Sequence, residues 1–165
     1  MAPHITLFGV PVTLRPTALG AGLTSALVVA LLRREQRIAW GFAAGMLWYT
    51  ADAIHVSGHI LSSRLVGAPM DAVDFGWYPM SVYADHDVTP QQHLGRASGS
   101  VSASLLAAII LFLLARCSTP PAIRYLLTIA AMQHGFLFGA SMLPLPQVDG
   151  GVISTNLRHI MQTSS

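Results

Sequence analysis

Asp52-Ala-Ile-His55-Val56-Ser57-Gly58-His59-Ile-Leu-Ser-Ser-Arg64 decides how the rest of the chain is read. Two histidines stand four positions apart in a run otherwise suited to a membrane helix. In a helix of about 3.6 residues per turn both imidazoles leave the same face, one turn apart. That is how a single helix offers two nitrogen ligands to one metal ion.

Composition fixes the setting. The 165 residues are 53% hydrophobic and only 10% charged, whereas soluble domains carry roughly 25% charged residues. Mean hydropathy is +0.56. So few charges cannot make a water-facing surface, and the chain is expected to be a single integral membrane domain. Its basic residues are all arginine, scattered near segment ends, with no stripe that would bind nucleic acid. The lone Cys117 excludes an internal disulfide, and the N-terminus has no signal-peptide pattern.

Four apolar segments follow, at roughly 17–32, 38–66, 94–115 and 123–142, and predict an all-α, multi-pass protein with four transmembrane helices. Residues 5–15 are β-branched and broken by Gly9 and Pro11, which predicts a short N-terminal strand or hairpin. The polar loop 67–93 contains the aromatic run Val73–Tyr83, suited to an interfacial hairpin. His86 lies between Asp85 and Asp87 and reads as part of a solvated loop. Gly41 and Gly45, and Gly95 and Gly99, are small residues four apart, where neighbouring helices pack closely. Gln133 and His134 lie mid-segment and read as hydrogen-bond partners between helices. The tail from Val152 reads as a short helix.

Alternating segments make the second and fourth run parallel. The histidine pair and Asp149, which follows the fourth segment, then reach the same depth. His55, His59 and Asp149 form a candidate three-ligand metal set that leaves a coordination position open. Asp52 and Ser57 are candidates to support those ligands by hydrogen bonds. In zinc proteases with His-Glu-x-x-His, the glutamate takes a proton from the metal-bound water; here that position is Val56. Glu35, the chain's only glutamate, falls at the opposite end of the bundle.

These residues resemble the site-2 protease family of intramembrane zinc metalloproteases, closest to its short bacterial members. Leu-Phe-Gly-Val-Pro-Val-Thr-Leu-Arg-Pro16 is similar to the family's N-terminal strand. His55-Val-Ser-Gly-His59, with Arg64-Leu-Val-Gly67, resembles the His-Glu-x-Gly-His helix and its exit. Pro90-Gln-Gln-His-Leu-Gly-Arg-Ala-Ser-Gly-Ser-Val101 resembles the approach to an Ala-Gly-Pro motif. Met142-Leu-Pro-Leu-Pro-Gln-Val-Asp-Gly-Gly151 resembles Leu-Leu-Pro-x-Pro-x-x-Asp-Gly-Gly, whose aspartate is the third zinc ligand. Ser100, Ala103 and Ser141 replace a proline and two asparagines of the family pattern. The resemblance therefore implies a site-2-protease-like core in a degenerate relative, with the zinc ligands kept and the catalytic glutamate lost.

Several functions stay open from sequence. The leading expectation is a non-catalytic scaffold or small subunit of a larger membrane complex, in contact with lipid and other transmembrane proteins in a bacterial inner membrane. The alternatives are an active intramembrane metalloprotease and a haem- or chlorophyll-binding subunit using His55, His59 and His134. A relic pair hydrogen-bonded to Ser57, Ser62 or Asp149 is the structural alternative. The turns at 33–37 and 116–124 hold five arginines against four on the other side, a small margin toward the first side as cytoplasmic by the positive-inside rule; the resemblance implies the opposite, and orientation stays open.

Overall fold

The computed structural model describes residues 5–84 and 87–163, so His86 lies outside the described residues. The chain opens with strands β1 (Ile5–Leu7) and β2 (Val10–Leu14), followed by helices α1 (Leu19–Leu32) and α2 (Arg37–Leu65). Strands β3 (Ala72–Phe75) and β4 (Pro79–Val82) come next, then α3 (Pro90–Cys117), α4 (Pro121–Ser141) and α5 (Asp149–Thr163). The fold is mostly helical with one small sheet.

Phe8 and Gly9 form the β1–β2 turn with φ of 49° and 80°; two positive φ values in a two-residue turn match the right-handed twist of the flanking strands. The sequence predicts a short strand or hairpin at the N-terminus and a separate interfacial hairpin in the Val73–Tyr83 run. They form one four-stranded sheet in the order β1-β2-β3-β4. The seam is parallel, with Val12 opposite Val73 and Leu14 opposite Phe75. It begins one residue after Pro11, which has no N–H to give to a second neighbour. Arg15 at the end of β2 closes the seam, its Nε donating to both carboxylate oxygens of Asp74 at 2.7 and 2.8 Å. The Arg64 guanidinium donates to the Phe8 carbonyl at 2.5 Å and ties the β1–β2 turn to the end of α2.

The sheet packs on the C-terminal half of α2. Val56 and Ile60 join Val10, Met70 and Val73 in a buried apolar cluster. On the other side α2 meets α3 and, near its N-terminus, α1. All four glycines expected at helix contacts are there. A Cβ on Gly41 would lie 2.7 Å from the Ala26 carbonyl oxygen, and one on Gly45 3.0 Å from that of Gly22. A Cβ on Gly95 would meet the Val66 side chain, and one on Gly99 that of Ser62. Gln133 Nε2 donates to Ser25 Oγ and to the Ala44 carbonyl, both at 2.8 Å, so one amide links α1, α2 and α4.

The helices are placed as the sequence predicts, with shifted ends. Helix α3 starts at Pro90, four residues early, because Thr89 and Gln92 form a reciprocal cap ahead of it. Helix α5 starts at Asp149 and not at Val152. Four spans are not supported. Among the described residues, α3 is the one helix long and apolar enough to cross a membrane. Helix α1 has 14 residues, about 21 Å against a hydrocarbon core of about 30 Å. Helix α2 has the length, but its second half carries Asp52, His55, Ser57, His59, Ser62, Ser63 and Arg64. Helix α4 carries Arg124, Gln133 and His134.

Candidate metal centre

His55 and His59 are both buried on α2 and face α3 and the start of α5. Their ring centroids are 5.3 Å apart with planes at 86°. Asp149, the first residue of α5, meets both rings. Its Oδ2 is 3.5 Å from His55 Nε2 and its Oδ1 is 3.4 Å from His59 Nε2. The three candidate ligands therefore converge, with ligand atoms within 4.8 Å of one another. His134 is buried but is not one of the three groups that meet.

Two close backbone approaches make this meeting possible. A Cβ on Gly58, between the histidines, would lie 2.5 Å from the Gly99 carbonyl oxygen and 2.7 Å from Ser100 Cα. The backbones of α2 and α3 touch at this point, so α3 can reach the far nitrogens of both rings. The loop before α5 folds back over its first turn. A Cβ on Gly151 would lie 2.0 Å from the Leu145 carbonyl oxygen, which accounts for the glycines after Asp149.

Helix α3 supports all three ligands from one stripe. Ser104 Oγ is 2.9 Å from His55 Nδ1. The Arg96 carbonyl oxygen is 2.9 Å from His59 Nδ1. Ser100 Oγ donates to Asp149 Oδ2 at 2.7 Å. Positions 96, 100 and 104 are spaced by four and share one face. Asp52 and Ser57, expected in this supporting role, do not fill it. The Nδ1 positions are taken by Ser104 and the Arg96 carbonyl, while Ser57 Oγ donates to the Ala53 carbonyl of its own helix at 2.7 Å. Asp52 is buried one turn before His55. The signal for Ser100 and Ser104 was present in the sequence as a four-residue spacing matching that of the histidines. The Arg96 carbonyl, a backbone group, leaves no such mark.

Arg96 is held by its own contacts. Its Nε donates to the Ala68 carbonyl at 2.7 Å, and its guanidinium carbon lies 4.1 Å from the centre of the Tyr83 ring. Burial pushes the Tyr83 phenol up to about 12, so at neutral pH Arg96 faces a neutral ring. This anchors the residue whose carbonyl orients His59.

The donor set suits a metal cation. A carbonyl oxygen only accepts, so His59 Nδ1 must carry the hydrogen in that contact. In a neutral ring, Nε2 then turns a lone pair toward the carboxylate. Two electron-rich atoms in that arrangement repel unless a positive charge lies between them. The separations of 3.4 and 3.5 Å exceed an ordinary N–H···O bond of about 2.7–3.2 Å. They run to the two different oxygens of one carboxylate, and one ligand atom from each of the three residues lies within 4.8 Å of the others, a gap that an ion can occupy. Val56 belongs to the apolar cluster under the sheet and is 1% exposed, and it brings no acid or base to the site.

No family model matches the sequence, and no curated protein matches it. A solved structure, the site-2 protease from Methanocaldococcus jannaschii, matches with a TM-score of 0.66 at 16% identity, over 96% of this chain and 70% of that one. The chain is similar to that protein in fold, and a His/His/Asp cluster sits within that fold.

Proposed function

We propose that this chain is a non-catalytic integral membrane protein of site-2-protease-like fold that holds a zinc ion on His55, His59 and Asp149. In this reading it is a degenerate relative of the proteases and acts as a scaffold or small subunit of a membrane complex. The observation that supports the metal is the convergence of one ligand atom each from His55, His59 and Asp149 within 4.8 Å, with His59 held in the tautomer that presents Nε2. The observation that carries the loss of activity is Val56. Peptide hydrolysis needs a group to take the water's proton and return it to the leaving amine, and positioned acid–base residues contribute about 10²–10⁴-fold. A buried valine offers neither step.

A bound zinc would supply Lewis acidity. Here His55 and His59 would give neutral nitrogen ligands, Asp149 would give charge, and Ser100, Ser104 and the Arg96 carbonyl would fix their orientation. The membrane setting is supported by α3 and by large apolar side chains on the outside. Leu23, Leu27 and Leu31 of α1 are 64, 60 and 76% exposed, a stripe that water would not favour. Such faces suit lipid and transmembrane partners in a multi-pass arrangement; the bacterial inner membrane is the location proposed from the sequence resemblance. The name of the matched structure favours a second reading, an active intramembrane metalloprotease. A haem or chlorophyll-type pigment on His134 draws no support from the three-residue cluster.

Elemental analysis of the full chain, extracted in mild detergent without chelator, tests the metal. The expected result is one zinc per chain in the wild type and a loss of most of it in His59→Ala; zinc-free wild type would remove the metal. The zinc-loaded protein is expected to leave a membrane-embedded peptide intact. Cutting that disappears in His59→Ala would establish the protease reading instead.

A further inference from the structure

We propose that the end of the bundle remote from the metal centre is a binding site for an anionic phospholipid, its phosphate lodged between Arg33 and Arg124. The proposal rests on the membrane reading above. The site lies where the α1–α2 turn meets the start of α4, some 15–20 residues along α2 from the histidines, which is about 25 Å at ~1.5 Å per residue.

A cavity of about 510 Å³ opens here, and Arg33, Glu35, Trp40, Arg124, Tyr125 and Thr128 line it. Arg33 is stacked. Its guanidinium carbon lies 4.4 Å from the centre of the Tyr125 ring and 5.3 Å from that of Trp40. The two rings meet edge to face at 4.8 Å. Stacking fixes the plane of the guanidinium and leaves its N–H edge for a ligand. Its Nε is buried and has no hydrogen-bond partner among the described residues. Arg33, Arg34, Arg37 and Arg124 gather around the turn against a single acid, Glu35. Among the described residues none of these four forms an ion pair. Helix α4 begins beside them with no acidic residue in its first turn and no side-chain cap. A planar guanidinium held by stacking, with a second arginine lining the same cavity, is matched to the paired oxygens of a phosphate.

A second, more open hollow favours a lipid over a free anion. It shares Gln36 with the first and has a volume of about 740 Å³. Ile38, Ala39 and Phe42 line it, with Arg34 and Arg37 beside them. Ile38 is 81% and Phe42 70% exposed. A free phosphate has no use for this apolar floor, whereas the glycerol and upper acyl chain of a lipid do. Gln36, in the left-handed region at φ 47°, makes the turn that sets the two hollows side by side. Arginines near an anionic membrane surface each strengthen attachment.

The test uses the full chain in neutral maltoside micelles, with Trp48 and Trp77 changed to Phe so that Trp40 alone reports. Dihexanoyl-phosphatidylglycerol, dihexanoyl-phosphatidylcholine and inorganic phosphate are titrated separately. The glycerol lipid is expected to give a saturable change in emission, with roughly tenfold or greater preference over the choline lipid. The Arg33→Gln/Arg124→Gln pair is expected to lose that preference. Arg33 also packs on two rings, so Arg124→Gln alone, with unchanged circular dichroism, is the second variant and should weaken glycerol-lipid binding several-fold. Equal binding of the two lipids, or undiminished affinity in both variants, would overturn the proposal. Inorganic phosphate saturating the signal as tightly as the lipid would also overturn it, in favour of a free anion. Flotation with phosphatidylcholine vesicles separates the two levels of inference. A chain that stays in solution without detergent and floats with no vesicle loses the membrane reading itself; one that floats but shows no anionic preference loses only this site.

Discussion

Ser100 stands where the resembled motif has proline, and its hydroxyl donates to the carboxylate of the candidate ligand Asp149 at 2.7 Å. Removing it in Ser100→Ala leaves Asp149 Oδ2 without that donor. Supporting hydrogen bonds of this type are worth about 10–100-fold in metal affinity. Zinc affinity of Ser100→Ala, measured by competition with a chromophoric chelator, is expected to fall within that range. The three candidate ligands, which the structure brings together, were legible in the sequence because each is a side chain with a chemical signature at a telling interval. Their supports were legible only in part. A serine on a small-residue face reads equally well as a packing residue, and Ser100 and Ser104 acquire their roles only once α3 lies against α2. Asp52 misled for the converse reason: the acid nearest a ligand in sequence is a natural guess, but the supporting atoms come from another helix.

Helices α2 and α3 meet backbone to backbone at Gly58. Adding one methyl in Gly58→Ala would put Cβ 2.5 Å from a carbonyl oxygen that no rotamer change can move. The helices must separate, at about 1–3 kcal/mol for overpacking of this kind. The separation also draws Ser100 away from Asp149. Gly58→Ala is therefore expected to lower the thermal midpoint and weaken zinc binding together, whereas Ser100→Ala acts mainly on the metal.

The sheet makes a separate prediction. The Arg15 guanidinium, by hydrogen bonding and by charge, holds the Asp74 carboxyl below its ordinary value of 3.8. A carboxyl depressed in the folded state stabilises the fold above its unfolded pKa and ceases to do so as pH falls through the folded value. The midpoint difference between wild type and Asp74→Asn should thus be present at neutral pH and close below about pH 4. The pair is exposed, so the difference is expected to be small. A difference independent of pH would deny the ion pair any part. The hairpins on either side of this seam were readable from β-branched runs and turn residues. Their parallel union was not, since turn chemistry governs neighbours in sequence and carries no information on a pairing across two intervening helices.

Seen whole, the bundle has its polar groups inward and many of its largest apolar groups outward. The buried set includes Asp52, His55, His59, Arg96, Gln133 and His134, while Leu31, Ile38, Phe42 and Met132 are at least 70% exposed. A soluble core reverses that arrangement. The full chain is accordingly expected to stay in the membrane pellet through alkaline carbonate washing and to leave it only with detergent; release by carbonate alone would contradict the reading. Composition points to this environment but carries no count of crossings. Counting apolar runs gives four, and among the described residues the polar cargo of α2 and α4 and the shortness of α1 leave α3 alone meeting the ordinary criterion. A helix whose polar face is matched by its neighbours need not look apolar all round.

The parallel seam also sets an order of events during synthesis. Strand β2 is complete at Leu14, but the strand it bonds to begins at Ala72, roughly sixty residues later and about 3–12 s behind at ordinary elongation rates. For that interval the newborn hairpin has one border of backbone donors and acceptors with nothing to satisfy it, and any stray extended peptide can bind there. The ribosome delivers both hydrophobic helices before it delivers the rightful claimant.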